Sequence, residues 1–288
     1  MSSQHNAERF LASQGLDLAG LRRTIPPMGQ DELLMLIGSV PDGLANPLSD
    51  IDLLVVGARQ SGGDLLLHDV DFEQTVERLP SSHEINVEYW TEGDLLDLAD
   101  KFKRAALAIE DPAGLSELII FNEVQLRLIH CIINGVVLCG NPEKWHHYFK
   151  RERLINYLVI YFISFYYTLA EDANGQVQDG DFESALANLR QAVDFLAGAE
   201  VAACGETNPY TKWRIKLLRR CETQIGAEAV SDYLHYLFPP RDWPRSAIAE
   251  TIGFCESRIG AIFERRPQVI HAAVVLSARM RFVTSLDA

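Results

Sequence analysis

The 288-residue chain is short of positive charge: 26 lysines and arginines stand against 40 aspartates and glutamates, a formal net charge of -14. Broad binding to DNA or RNA rests on neutralising phosphates with Lys and Arg. The balance therefore argues against a polynucleotide track, while leaving room for one local basic pocket. Cysteine pairs are missing too. Cys131, Cys139, Cys204, Cys221 and Cys255 form no C-x-x-C pair and no Cys/His zinc spacing, and their odd, scattered set reads as reduced thiols in a cytoplasmic protein. The first ten residues lack the basic region and apolar stretch of a secretory signal. There is no internal repeat and no low-complexity tract. The nearest approach to a membrane span, Leu154 to Ala170, falls short of the roughly 20 residues needed. It also carries Asn156, Ser164 and several tyrosines, so it reads as a buried helix, and no membrane partner is expected.

What is present is enough apolar sequence (48%) for a sizeable core, in one large domain or two modest ones. The first half alternates. Helical stretches near 5–14 and 17–24 precede apolar strands at 33–37 and 51–56. A strand over Glu84–Trp90 shows period-2 alternation, with Ile85, Val87 and Tyr89 against Asn86 and Glu88. Asp71 to Leu79 is expected to be helical. Thr91 caps a helix from Glu92, another helix runs over Leu115–Ile133, and Gly135–Gly140 is a closing strand. After Pro142 helical periodicity takes over, at 143–170, 181–203, 209–224, 227–237 and in pieces over 245–282. The pattern predicts an α+β protein, with a small mixed β-sheet domain at 1–142 followed by an all-helical domain at 143–288.

The most informative stretch joins the first two strands. Gly38-Ser39 ends the first, and Asp50-Ile51-Asp52 opens the second. Residues two apart in a strand share a face, so Asp50 and Asp52 project together while Ile51 points into the core. Side-by-side carboxylates repel unless a cation lies between them, and magnesium often binds through one or two carboxylates plus substrate phosphates. Gly38 lets backbone approach a phosphate, and the Ser39 hydroxyl can donate to it. Glu88 offers a third carboxylate for a metal or for an attacking hydroxyl's proton, with Glu84 on the same face as its rival. Far along the chain, Lys212, Lys216, Arg219 and Arg220 share one helical face.

On Ile37-Gly38-Ser39, Ser49-Asp50-Ile51-Asp52-Leu53 and Val87-Glu88-Tyr89, the first third of the chain resembles the polymerase-beta-like nucleotidyltransferases. The Gly135–Gly140 strand and the helical half after it make the layout similar to aminoglycoside nucleotidyltransferases. The resemblance implies that Gly38 and Ser39 hold a nucleoside triphosphate, by default ATP. It implies that Asp50 and Asp52 bind Mg²⁺ with Glu88 as third ligand or base, and that Lys212 reaches the triphosphate. Many relatives carry Arg-Gly in the loop after Gly-Ser; here Asp42-Gly43 stands there. The implied reaction moves a nucleoside monophosphate onto a hydroxyl of a small molecule, in the manner of an aminoglycoside-modifying enzyme, and releases pyrophosphate. The sequence is compatible with a homodimer. The alternatives are a toxin–antitoxin-type enzyme that adenylylates a protein and a non-catalytic nucleotide-binding regulator with the same fold.

Overall fold

The computed structural model describes residues 2–24, 32–57, 64–68, 73–78, 84–111, 119–238 and 246–276. The chain forms two compact units, residues 1–102 with 124–150, and residues 103–123 with 151–288. The first carries the sheet and the second is helical. The fold is α+β.

In the first unit, α1 (Ser3–Ser13) and α2 (Leu18–Thr24) lead into β1 (Leu33–Ile37) and β2 (Ile51–Val56). Then come β3 (Asp64–His68), β4 (Glu73–Arg78), β5 (Glu84–Trp90), α3 (Glu92–Glu110), α4 (Glu123–Asn134), β6 (Val136–Cys139) and α5 (Glu143–Tyr148). The six strands lie in the order β3-β4-β5-β2-β1-β6. Only β2 and β5 pair in parallel; every other neighbouring pair is antiparallel. β1 is apolar at all five positions and buried at all five, as a central strand covered on both faces requires.

One sheet face carries Leu34, Leu36, Ile51, Leu53, Val55, Ile85, Val87 and Tyr89, packed against Ala7 and Leu11 of α1 and Leu21 of α2. The alternation of side chains puts Asp52, Leu54, Asn86 and Glu88 on the opposite face. Register orders that second face in rows. Ile37, Asp52 and Asn86 lie side by side, and Met35, Leu54 and Glu88 form the next row.

Two expectations change. Asp71 to Leu79 reads as helical from its composition, yet Glu73–Arg78 is a strand that pairs with β3 on one side and β5 on the other. Pairing along both edges satisfies its backbone, and that outweighs local helix propensity. The helix expected over Leu115–Ile133 begins only at Glu123 among the described residues. Before it, the Tyr157 hydroxyl donates to the Ile119 carbonyl at 2.9 Å and accepts from the Phe121 amide at 3.4 Å. Those backbone groups are thus satisfied without helical bonds. α3 starts as expected: the Asp94 amide donates to Thr91 Oγ1 at 3.2 Å, and the Asp94 carboxylate accepts from the Thr91 amide at 3.1 Å. This is a reciprocal cap with Asp in the place of the usual Glu.

The second unit contains α6 (Arg151–Asp179), α7 (Phe182–Ala203), a 3₁₀ turn (Thr211–Trp213), α8 (Arg214–Arg220), α9 (Glu222–Ile225), α10 (Ala227–Leu237) and α11 (Ser246–Arg265). α6 passes a membrane-span test on length and composition, but 50% of its apolar window is buried inside the protein, as in a core helix. α7 opens on Asp181, whose carboxylate accepts from the Ser184 amide at 3.1 Å.

Glu200 of α7 is fully buried. Arg258 grips it with Nη2–Oε1 at 2.7 Å and Nε–Oε2 at 3.0 Å, Arg265 pairs with Oε1, and the Tyr233 hydroxyl donates to Oε2 at 3.0 Å. One carboxylate thereby ties α7 to α10 and α11.

Candidate active site

The loop between β1 and β2 is closed by its own backbone. The Ser39 carbonyl accepts from the amides of Leu44 and Ala45 at 2.9 and 3.1 Å. Asn46 then makes an Asx turn: its side-chain oxygen accepts from the Leu48 amide and its own amide donates to Ser49 Oγ, both at 2.9 Å. This delivers Asp50 to the start of β2.

Gly38 adopts φ +78°, and a Cβ built there would lie 2.6 Å from Asp52 Oδ2. Only glycine combines that backbone angle with such a close approach to the carboxylate. Asp50 is exposed and Asp52 is half-buried, and each lies within electrostatic reach of the other. Asn86, next to Asp52 in its row, donates to Oδ1 at 3.1 Å. Burial pushes the Asp52 carboxyl above its ordinary value. The Asn86 hydrogen bond pulls it down, Glu88 and Asp50 push it up, and Arg127 pulls it down.

Glu88 is only 5% exposed, so it is not the half-exposed strand glutamate that alternation suggests. Arg127 of α4 holds it with both guanidinium nitrogens, Nη2 to Oε2 at 2.6 Å and Nη1 to Oε1. This is the bidentate geometry that carboxylates and guanidinium share. Asp50 and Asp52 are thus brought together, whereas Glu88 is engaged elsewhere, one row further along the sheet.

Asp42, which takes the place of the relatives' loop arginine, is withdrawn from solvent. Its Oδ2 lies 2.8 Å from His130 Nε2, and both side chains are more than nine-tenths buried. Asn134 Nδ2 lies 3.0 Å from His130 Nδ1 and 2.9 Å from the His130 carbonyl. A carbonyl only accepts, so the amide nitrogen donates; Nδ1 then accepts, and the ring proton sits on Nε2 and is donated to Asp42.

Burial pushes the Cys131 thiol up to about 12, and the Gly38 backbone close by pulls it down. Arg127, His130, Cys131 and Asn134 fall at i, i+3, i+4 and i+7, one face of α4. The sequence reading placed a helix over this stretch and singled out none of these residues. The signal was present in four polar or polarisable side chains spaced along one stripe of a helix otherwise rich in Leu and Ile.

A cavity of about 250 Å³ opens between α1 and the other flank of the loop, lined among others by Asn6, Arg9, Phe10, Gln14, Val40 and Pro47. Asp50 and Asp52 do not line it.

In the second unit Lys212 is exposed, with its ammonium 5.2 Å from the Tyr210 ring and 5.4 Å from Trp213, while Lys216 lies 4.8 Å from Trp213. These are cation–π distances. Between them, Arg214 points inward. It is 1% exposed and stacks 4.6 Å over Phe162, and its nearest acid is Asp194 at 3.7 Å. Desolvation lowers its pKa against the pull of Asp194.

Residues 19–107 match a family described as "Nucleotidyltransferase domain". Over these residues the chain is similar to nucleotidyltransferase domains. The match spans the Gly38-Ser39 loop, Asp50, Asp52 and Glu88, and ends within α3. Among solved structures, the chain is similar to a nucleotidyltransferase-like protein from Exiguobacterium sibiricum 255-15, at 13% identity and a TM-score of 0.48, over 89% of this chain and 79% of that one. No curated protein matches.

A nucleotidyltransferase domain implies a nucleoside triphosphate and a divalent metal. Among the described residues no group of three or more His, Cys, Asp or Glu is arranged to hold a metal. The oxygen donors of Asp50 and Asp52 do fit magnesium, which completes its shell with phosphates and water.

Proposed function

We propose that this chain is a magnesium-dependent enzyme that transfers a nucleoside monophosphate, AMP from ATP by default, to a hydroxyl of a small-molecule acceptor, releasing pyrophosphate. The observation that carries this reading is the close approach of Gly38 to Asp52: a left-handed glycine leaves open the side of a carboxylate that stands beside a second carboxylate, inside a nucleotidyltransferase domain. Asp50 and Asp52 would hold the metal. Mg²⁺ bound there would neutralise phosphate charge and fix phosphate oxygens for an in-line displacement.

The chain's own residues do the rest. Gly38 admits the phosphate chain and Ser39 donates to it. Asn86 fixes Oδ1 of Asp52, leaving Oδ2 turned toward Gly38. Such catalysis is chiefly positioning and charge neutralisation. That Lys212 contacts the triphosphate is supported by the resemblance alone. An aminosugar acceptor rests on the same ground, helped by the acidic surface. The five free thiols are in keeping with a cytoplasmic setting.

The test is pyrophosphate release from Mg-ATP across a panel of aminoglycosides and other polyols. Wild type should release it with at least one acceptor and Asp52→Asn should not; equal turnover in the two proteins would remove Asp52 from the site. The engagement of Glu88 by Arg127 favours one other reading, a nucleotide-binding regulator without turnover. Calorimetric binding of Mg-ATP with no pyrophosphate from any acceptor would select it.

A further inference from the structure

The sheet register and the grip of Arg127 bear on what Glu88 does. Strands rise about 3.3 Å per residue. Asp50 precedes Asp52 by two residues on β2, and Glu88 lies opposite Leu54, two residues beyond Asp52 in the parallel register. Asp50 and Glu88 therefore flank Asp52 from opposite directions along the strands, about 13 Å apart in that direction. By that register, a cation shared by Asp50 and Asp52 would sit on the side away from Glu88.

Glu88 also already has a partner on each oxygen. Both its oxygens are taken by Arg127, with side chains 7% and 15% exposed. Taking one partner away from a buried pair of this kind is strongly destabilising, because the remaining charge is left unpaired out of water. A swap of Arg127 from Glu88 to another anion in each turnover is correspondingly expensive.

We propose that the Glu88–Arg127 pair is a fixed part of the scaffold, which keeps a positive charge beside Asp52 and withholds Glu88 from both the metal and the acceptor proton. This rests on the nucleotidyl-transfer reading for the role of Asp52. Arg127 is then a positioning residue. It holds β5 to α4 and offsets one of the three neighbouring carboxylates, so the site presents the charge of two, matched by a single divalent ion. Continuing the register one step puts Glu84, not Glu88, level with Asp50 on β5.

The test is Mn²⁺ binding to the full chain without nucleotide, read from the electron paramagnetic resonance signal of free Mn²⁺, beside thermal melting. Wild type should bind close to one Mn²⁺. Asp52→Asn should weaken binding by about tenfold or more, whereas Glu88→Gln should stay within about threefold of wild type, although it melts earlier. Arg127→Met removes the neighbouring positive charge and should tighten Mn²⁺ by about threefold, opposite in sign to the effect of Glu88→Gln, a change that mere loss of packing would not produce.

If either single variant fails to fold, the paired Glu88→Leu/Arg127→Met chain replaces the ion pair with apolar groups and should melt near wild type. It too should retain Mn²⁺. Loss of Mn²⁺ in Glu88→Gln or in the pair, to the level of Asp52→Asn, overturns the proposal and leaves the enzymatic reading standing. Wild type that binds no Mn²⁺, even with ATP added, overturns the enzymatic reading and this proposal with it.

Discussion

Gly38→Ala, set beside Gly15→Ala, isolates the space that Asp52 needs. Both glycines are left-handed, at φ +78° and +71°. A left-handed conformation costs an L-residue about 1–2 kcal/mol, and a more restricted unfolded chain returns about 0.4–1 kcal/mol. Gly15 has nothing within 4 Å of its Cβ position, so its variant should lose only about 1 kcal/mol, from backbone strain alone. Gly38 carries the same strain and a 2.6 Å collision with Asp52 Oδ2, where ordinary contact begins at 3.4 Å. Asp52 must turn away, which strains or breaks its 3.1 Å bond from Asn86. A hydrogen bond to a charged group is worth about 1.5–3 kcal/mol. The total for Gly38→Ala is then about 2.5–4 kcal/mol, the sum of strain and bond loss. At roughly 2–4 °C per kcal/mol, the Gly15 variant should melt a few degrees low and the Gly38 variant about 5–16 °C low. The Gly38 variant should also lose Mn²⁺ binding, which Gly15→Ala keeps. Equal melting shifts in the two, or intact Mn²⁺ binding after Gly38→Ala, would refute the idea that the missing side chain is what makes room for the carboxylate.

Asp52→Asn removes a carboxylate crowded by Glu88 and Asp50 and raised by burial, so the metal-free variant should melt above wild type at pH 7. The same variant loses turnover, and a lower melting point would contradict the electrostatic account. Glu200→Ala strands Arg258 and Arg265 and should cost about 3–5 kcal/mol in urea unfolding; a cost under about 1 kcal/mol would show that the network contributes little. Asp181 caps α7, and its bond from Ser184 lowers its pKa below 3.8, so its contribution is present above that value and lost as pH falls through the folded pKa. Asp181→Ala should therefore melt below wild type at pH 7, with the gap closing under acid; a gap that widens there would be inconsistent. Lys212→Ala should weaken Mg-ATP binding about tenfold, as loss of one charged phosphate contact does, and unchanged affinity by calorimetry would end its assignment.

The central strands were legible because their burial on both faces leaves continuous apolar runs, Leu33–Ile37 and Leu53–Val56. The Asp50/Asp52 pair was legible because acids are rare in such strands. β4 was not: Glu-Gln-Thr-Val-Glu-Arg holds residues common in helices, and only its two neighbours in the sheet decide otherwise. The partner of Glu88 was hidden for a related reason. Alternation marks a polar face but does not tell water from a guanidinium contributed 39 positions later. Asp42 looked like an absent cation beside the phosphates, and the structure turns it inward onto His130.

One face of α4 touches three parts of the site's frame: Arg127 meets Glu88, His130 meets Asp42 with Asn134 steadying its ring, and Cys131 lies close to the Gly38 backbone. The loop and strand that present the acids therefore have a common keel. In hydrogen exchange the amides of Gly38, of β5 and of the 127–134 stretch should open together as one cooperative unit. In a deep mutational scan α4 should score like catalytic sequence, although the residues on that face are occupied in holding the frame rather than in meeting a substrate.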